Sequence, residues 1–424
     1  MKKMALVLAA VLASGMILTA CGGSGNSQGT NTETAGNTQT TANGGADIAV
    51  QLGPDPETVD PALNTAIDAG NIILHAFETL LTFDENNNIV PGQAESYEVS
   101  EDGLTYTFHL RDGLKWSDGS DFTAEDFVYS WKRLADPMTG APYAADMLSV
   151  VKGYEEAAAG NTDALGVSAP DAQTLVVELS APCVYFDKIV THSSMAPVNQ
   201  AVVEANGDQW ALDPSTYVSN GPLKMIEWVP GSHMTFAKNE NYWNADKVTL
   251  NTLKFVLMED SNAAYSAYQT GEVQMIRDVP TEEIKALQGT EDFHLEPRMA
   301  TSYTIFNTQV APFDSADVRM ALSLAVDRQY IADVLMEGTA SPATNFVGAG
   351  VSDAEEGSSF EEVTRERNGG DFFNVDNFEQ DLDKAKELLA QAGYPNGEGF
   401  PAIEYMTNDA GYNKQLAEYF QSAW

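Results

Sequence analysis

Between Gly22 and Ala46 the chain has nothing with which to build a core. This stretch holds seven Gly, six Thr, four Asn, three Ala, two Ser, two Gln and one Glu, with no aromatic or large aliphatic residue. Without apolar surface to offset the entropy of ordering the backbone, such a tract is expected to act as a flexible tether. It separates a short apolar leader from a folded part that begins near Asp47. The remainder of the 424 residues is too long for one compact domain of about 150 residues, so two or three folding units are expected. An apolar fraction of 43% excludes wholesale disorder.

The leader starts with Lys2 and Lys3 and continues as an uncharged run from Met4 to Ala20. That run is at the short edge for a spanning helix, so residues 1–20 read as a secretory signal. Leu18-Thr19-Ala20-Cys21 resembles a bacterial lipobox. The resemblance implies that Cys21 becomes the mature N-terminus, carries a thioether-linked diacylglycerol, and holds the protein on a membrane through the 21–46 linker. Across the whole chain 62 acidic residues outnumber 22 basic ones, for a net charge of −40. Such a field repels nucleic acid, and it also repels an anionic membrane surface. Two cysteines with no C-x-x-C spacing make neither a disulfide framework nor a zinc or redox site.

Helical and strand patterns alternate through the folded part. Ile48–Leu52, Thr105–Arg111, Thr174–Leu179, His233–Ala237 and Leu253–Met258 read as strands. Asn71–Leu81 has apolar residues at helical spacing, and the helix opened by Phe122-Thr123-Ala124-Glu125-Asp126 has a hydroxyl cap and an acidic first turn. Further helices are expected over Asn262–Gln269, Ser315–Val326, Arg328–Met336 and Asp381–Ala392. Asp327 is placed to cap the third of these, while Gly271, Gly338 and Gly393 stand where helices stop. Asn413–Trp424 reads as a helix whose apolar side, Leu416, Phe420 and Trp424, forms just as the sequence stops, the pattern expected of a truncated chain.

Catalytic arrangements are mostly missing. No G-x-S-x-G, H-E-x-x-H, Walker or dinucleotide fingerprint occurs, and His75, His109, His192, His233 and His294 are scattered. Asp84, Asn86, Asn88 and Glu95 fit four positions of a calcium loop, but Ile89 stands where its sharp turn requires Gly, so a solvated turn is expected. Cys183 reads as a buried free thiol. Neither a metal nor a cofactor is implied, and the chain reads as no enzyme.

Several motifs follow one another along the chain: Thr58-Val59-Asp60-Pro61, Phe77-Glu78-Thr79-Leu80-Leu81, Tyr106-Thr107-Phe108-His109-Leu110-Arg111, and Leu114-Lys115-Trp116-Ser117-Asp118-Gly119. Later come Ser219-Asn220-Gly221-Pro222, Asn239-Glu240-Asn241-Tyr242-Trp243, Asp317-Val318-Arg319-Met320-Ala321-Leu322 and Ala392-Gly393-Tyr394-Pro395. In this order they resemble the extracytoplasmic solute-binding proteins of peptide ABC transporters, the oligopeptide- and dipeptide-binding proteins of solute-binding family 5. The resemblance implies a two-lobed α/β fold of the periplasmic-binding-protein type II kind. Residues 47–78 and 199–299 would form the first lobe, 79–198 its extra subdomain, and 300–424 a C-terminally incomplete second lobe.

By the same resemblance the ligand is an oligopeptide held between the lobes. The backbone of Thr65, Ala66 and Ile67, the Tyr143 hydroxyl, and Arg277 and Asp278 would contact it. Peptide backbone is a uniform set of donors and acceptors, so pairing with it gives affinity independent of side-chain identity. The expected protein is a monomeric lipoprotein on the outer face of the cell membrane that delivers peptides to ABC permease subunits. Other solutes known in the family, a dipeptide, an oligosaccharide, haem or nickel, remain alternatives, with the scattered histidines disfavouring nickel. A secreted hydrolase using paired carboxylates is the rival from another class.

Overall fold

The structure, a computed structural model, describes residues 45–296, 298–355, 357–408 and 412–424. The leader, Cys21 and the linker up to Gly44 lie outside the described residues.

One four-stranded sheet joins distant parts of the sequence. Its edge strand β1 (Ala46–Leu52) runs parallel to β10 (Leu250–Leu257), which pairs antiparallel with β9 (His233–Lys238), itself in a hairpin with β8 (Leu223–Val229). Along the free side of β1 the chain returns at residues 274–276: Gln274 N–H donates to the Ala49 carbonyl at 2.8 Å, and Gln51 N–H to that of Met275 at 2.9 Å. A second sheet, in the order β4-β5-β7-β6, is antiparallel throughout and built from β4 (Ala94–Val99), β5 (Thr105–Leu110), β6 (Val167–Asp171) and β7 (Thr174–Glu178). Alternation along β5 buries Tyr106, Phe108 and Leu110 on one face.

Two helices contribute heavily to the core. α1 (Ile67–Ala76) buries Ala69, Ile72, Ile73 and Ala76. α2 (Ala124–Ala135) starts with a complete capping box, Thr123 and Asp126 satisfying each other's backbone groups, and buries Phe127 and Trp131. One continuous core runs under both sheets, with Phe77, Trp116, Trp131, Trp210 and Tyr217 among its largest buried side chains. A separate small core of Ala321, Leu324 and Ala385 lies between the helices Ala316–Leu324 and Phe378–Gln391.

Most expected elements lie within a few residues of their sequence positions, with two departures. The helix expected over Asn71–Leu81 starts at Ile67 and ends at Ala76. Phe77 is extended, and the Thr79 and Leu80 carbonyls accept bonds from Gln93, Gly92 and Ala94, so Leu81 enters β2 (Leu81–Phe83), paired with β3 (Ile89–Pro91). Phe77 and Leu80 are buried in the continuous core all the same, because a short apolar run satisfies a helical and an extended path alike. The second departure is at Arg328–Met336. Asp327 caps it as expected, accepting from Tyr330 N–H at 2.9 Å, but after one turn the helix loosens into a π turn over Ile331–Leu335. The Asp84 motif is the expected turn, its carboxylate accepting from the backbone of Asn86 and Asn88. Cys183 is a buried free thiol. The C-terminal helix Asn413–Ala423 docks by Phe420 and by Trp424, whose indole N–H donates to the Leu322 carbonyl at 2.9 Å.

Two polar clusters, one buried at Asp60 and one half-buried at Glu78, tie these parts together. Asp60 accepts both guanidinium nitrogens of Arg133, at 3.0 and 2.5 Å, the Trp210 indole N–H at 3.0 Å and the Ala62 N–H at 3.0 Å. Glu78 accepts from Gln93 at 2.8 Å, from the Trp243 indole at 2.7 Å and from the Tyr242 hydroxyl, while Arg111 lies 3.6 Å over the Trp243 ring. Burial raises the Glu78 pKa, against the hydrogen bonds from Tyr242 and Trp243 and the charge of Arg111.

Candidate functional site

Asp60 begins the path to the site. Its carbonyl accepts from Leu63 and Asn64 N–H, closing a tight turn. Buried Asn64 then takes the Ala66 N–H on its side-chain oxygen at 2.9 Å. Ala66 is extended, with φ −91° and ψ 139°, and gives α1 no side-chain cap. Thr65 and Ala66 are exposed and Ile67 is 60% exposed. The Thr65 N–H and C=O make no hydrogen bond among the described residues. The result is a short extended segment whose backbone faces outward on a rigid support.

Arg277 and Asp278 are held beside it by Gln51, a residue the sequence did not flag. Gln51 is 2% exposed and lies one residue before the end of β1. Its side-chain Oε1 accepts the Arg277 N–H at 3.0 Å, and its side-chain Nε2 donates to the Met258 carbonyl at 2.9 Å and the Asp278 carboxylate at 3.1 Å. The Arg277 side chain reaches across to Asp68, in the first turn of α1, and lies 3.5 Å from Asp278. Burial opposes the Arg277 charge, but the Asp68 bond and the two carboxylates outweigh it and raise its pKa. Thus the 65–67 segment and the 277–278 pair, remote in sequence, are brought into one network.

Tyr143 is half-buried at the start of a short helix, Ala144–Leu148, its ring edge-on to His192 at 5.5 Å. His192 Nδ1 accepts the Ser194 N–H at 3.1 Å, which leaves the ring proton on Nε2. Burial lowers the His192 pKa, against the charge of Asp146, so the ring favours its neutral form. The next residue, Ser193, approaches α1: a Cβ added at Gly70 would meet its Oγ at 3.9 Å and Asn64 Nδ2 at 3.5 Å. Ser193 and Asn64 thus lie against the same side of α1, and among the described residues no hydrogen bond or ring contact joins Tyr143 to Thr65–Ile67. Sequence reading missed Gln51, Asp68 and His192. Only Asp68 had a local signal, an acid in the first turn of a helix.

Two surface concavities lie elsewhere. One of about 480 Å³ is lined by Glu95, His109, Asp112, Asp171 and neighbours, and one of about 330 Å³ by Met299, Tyr303, Phe346, Val351 and neighbours. Among the described residues no cluster of His, Cys, Asp and Glu is arranged to hold a metal, and no helix is long and apolar enough to cross a membrane.

Comparison with known proteins decides the family. The model of the bacterial extracellular solute-binding proteins, family 5, matches residues 88–424. The chain belongs to this family. The oligopeptide-binding protein OppA of Bacillus subtilis is 31% identical over 440 residues, covering 100% of this chain and 76% of the relative. Among solved structures, a periplasmic oligopeptide-binding protein of Borrelia burgdorferi superposes with a TM-score of 0.79 at 31% identity, covering 89% of this chain and 72% of the other. The Escherichia coli murein tripeptide-binding protein MppA gives 0.79 at 30% identity, with the same coverages. The fold is therefore the two-lobed α/β fold of periplasmic peptide-binding proteins, and family 5 members are transport binding proteins rather than enzymes.

Proposed function

We propose that this family 5 protein captures oligopeptides outside the cell and delivers them unaltered to the permease of an ABC importer. The observation that carries the reading is the extended Thr65–Ala66 backbone, exposed and unpaired at Thr65, held beside Arg277 and Asp278. Such an edge offers a peptide the pairing that its own backbone needs, whatever its side chains. The names of the relatives, oligopeptide-binding and murein tripeptide-binding, agree with a peptide ligand.

In this reading Thr65, Ala66 and Ile67 pair with the ligand backbone, Tyr143 donates its hydroxyl, and Arg277 and Asp278 contact the ligand at the hinge side. Residues 47–78 and 199–299 act as the first lobe, 79–198 as its extra subdomain and 300–424 as part of the second. A diacylglyceryl thioether on Cys21 anchors a monomer to the outer face of the cell membrane, with the 21–46 linker as its tether.

The test is to strip bound ligand from the purified chain by unfolding and refolding, incubate it with a random peptide pool, and identify by mass spectrometry what is retained. Intact peptides of varied sequence are expected. Retention of no peptide, or recovery of cleaved peptides, refutes the reading.

A further inference from the structure

Helix α1 begins without a capping side chain, yet the segment that precedes it is the proposed ligand edge. Something other than a cap must fix its direction. The one charged group in the first turn of α1 is Asp68, and its carboxylate is paired with Arg277. Arg277 is itself immobilised at its backbone, because its N–H is bonded to buried Gln51 on β1. The pair therefore spans from the start of a helix to a chain segment that runs along the sheet edge, and it ties the Thr65–Ile67 segment to Arg277 and Asp278.

Space is provided for it. A Cβ on Gly53, one residue past β1, would sit 2.5 Å from Asp68 Oδ2 and 3.8 Å from Arg277 Nη2. Glycine at 53 leaves the carboxylate the position from which it reaches Arg277, and no left-handed backbone angle accounts for the residue there.

We propose that Asp68 is a positioning residue for ligand binding. Through Arg277 it sets the distance and angle between the Thr65–Ile67 backbone and Arg277–Asp278, so that the proposed edge is organised before ligand arrives. The inference rests on the peptide-binding reading for its consequence, but the organisation itself is measurable without ligand. A preorganised edge loses less freedom on binding, and affinity lost with the pair is lost mainly through that term.

The experiment uses the full chain and three single variants: Asp68→Asn, which removes the charge; Gly53→Ala, which crowds the carboxylate and removes no charge; and Asp68→Glu, which keeps a carboxylate. Hydrogen exchange of amides in residues 62–70, read by mass spectrometry, is compared with exchange in the β4-β5-β7-β6 sheet. About tenfold faster exchange is expected at 62–70 in the Asn and Ala variants, with the distant sheet unchanged and the Glu variant closer to the parent. Affinity for a peptide retained from the pool should fall by about tenfold in parallel. Unchanged exchange at 62–70 in both the Asn and Ala variants overturns the proposal, as does equal loosening of the distant sheet. If the parent retains no peptide, the functional reading fails, while the exchange data still decide the role of Asp68.

Discussion

Replacing Asp60 by Ala removes the hub on which the turn leading to the proposed binding edge is built. The Asp60 side chain is 3% exposed and that of Arg133 is 13% exposed, so the substitution strands a guanidinium away from water. Breaking a buried pair by removing one partner costs about 3–5 kcal/mol. The Trp210 indole N–H loses its acceptor as well, adding about 1 kcal/mol, for a total of roughly 4–6 kcal/mol. With about 2.1 cal/mol/K of unfolding entropy per residue, a folded part of this size loses roughly 5–8 °C of melting temperature. Scanning calorimetry reads this directly. A double variant, Asp60→Leu with Arg133→Met, removes both charges together and is expected to melt above the single Asp60→Ala variant. A single variant that melts within about 1 °C of the parent would refute the reasoning, because an unpaired charge in this core would then have proved costless.

Three other outcomes are expected. Glu78 has a pKa raised by burial, so its contribution to stability is fully present below the ordinary carboxylate value of 4.5 and is lost as pH rises through the raised one; a carboxyl NMR titration with a midpoint at or below 4.5 contradicts this. Asp126 is pushed up to about 6, by burial first, against its bonds to Thr123. Asp126→Asn should therefore gain stability relative to the parent as pH is raised from about 4 to about 8, and urea melts showing no pH trend in that difference would count against it. A Cβ on Gly221 would lie 2.6 Å from the Ala76 carbonyl oxygen and 2.9 Å from the Phe77 carbonyl carbon; Gly221→Ala should cost roughly 1–3 kcal/mol of stability, and an unchanged denaturation midpoint would show that the contact yields freely.

The sequence was most legible where local chemistry fixes local structure. Thr123 and Asp126 form the expected capping box, Gly271 takes a left-handed angle after its helix, and β5 alternates as its pattern requires. The motifs that carry the family resemblance are explained by the structure in a different way. Tyr242 and Trp243 donate to the Glu78 carboxylate, the Asn220 side chain exchanges hydrogen bonds with the Glu78 backbone, and Arg111 covers Trp243. Ser117 and Ser219 bond each other nearby, and the Asn239 amide donates to the Gly221 carbonyl at 2.8 Å. Those residues fasten strands and loops to one another, so they mark the fold more than the ligand. The proposed edge was harder to see, because a free backbone has no side-chain signature. Gln51 and His192 owe their places to segments far away in the chain, and no window of neighbouring residues contains that information.

The parallel pairing of β1 with β10 has a consequence for how this molecule is made. Ala46 has to wait for Leu250 before its sheet can close, and in between lies the whole of the second sheet, whose strands are joined along a single stretch of chain. During synthesis, β1 therefore emerges early and stays unpartnered, while the 94–178 region and the β8–β9 hairpin can organise from near neighbours. Closure of so large a loop is paid in entropy before any strand contact offsets it, which makes β1 a late arrival on the folding route. Substitutions in β1 should consequently speed unfolding and leave the rate of folding almost untouched.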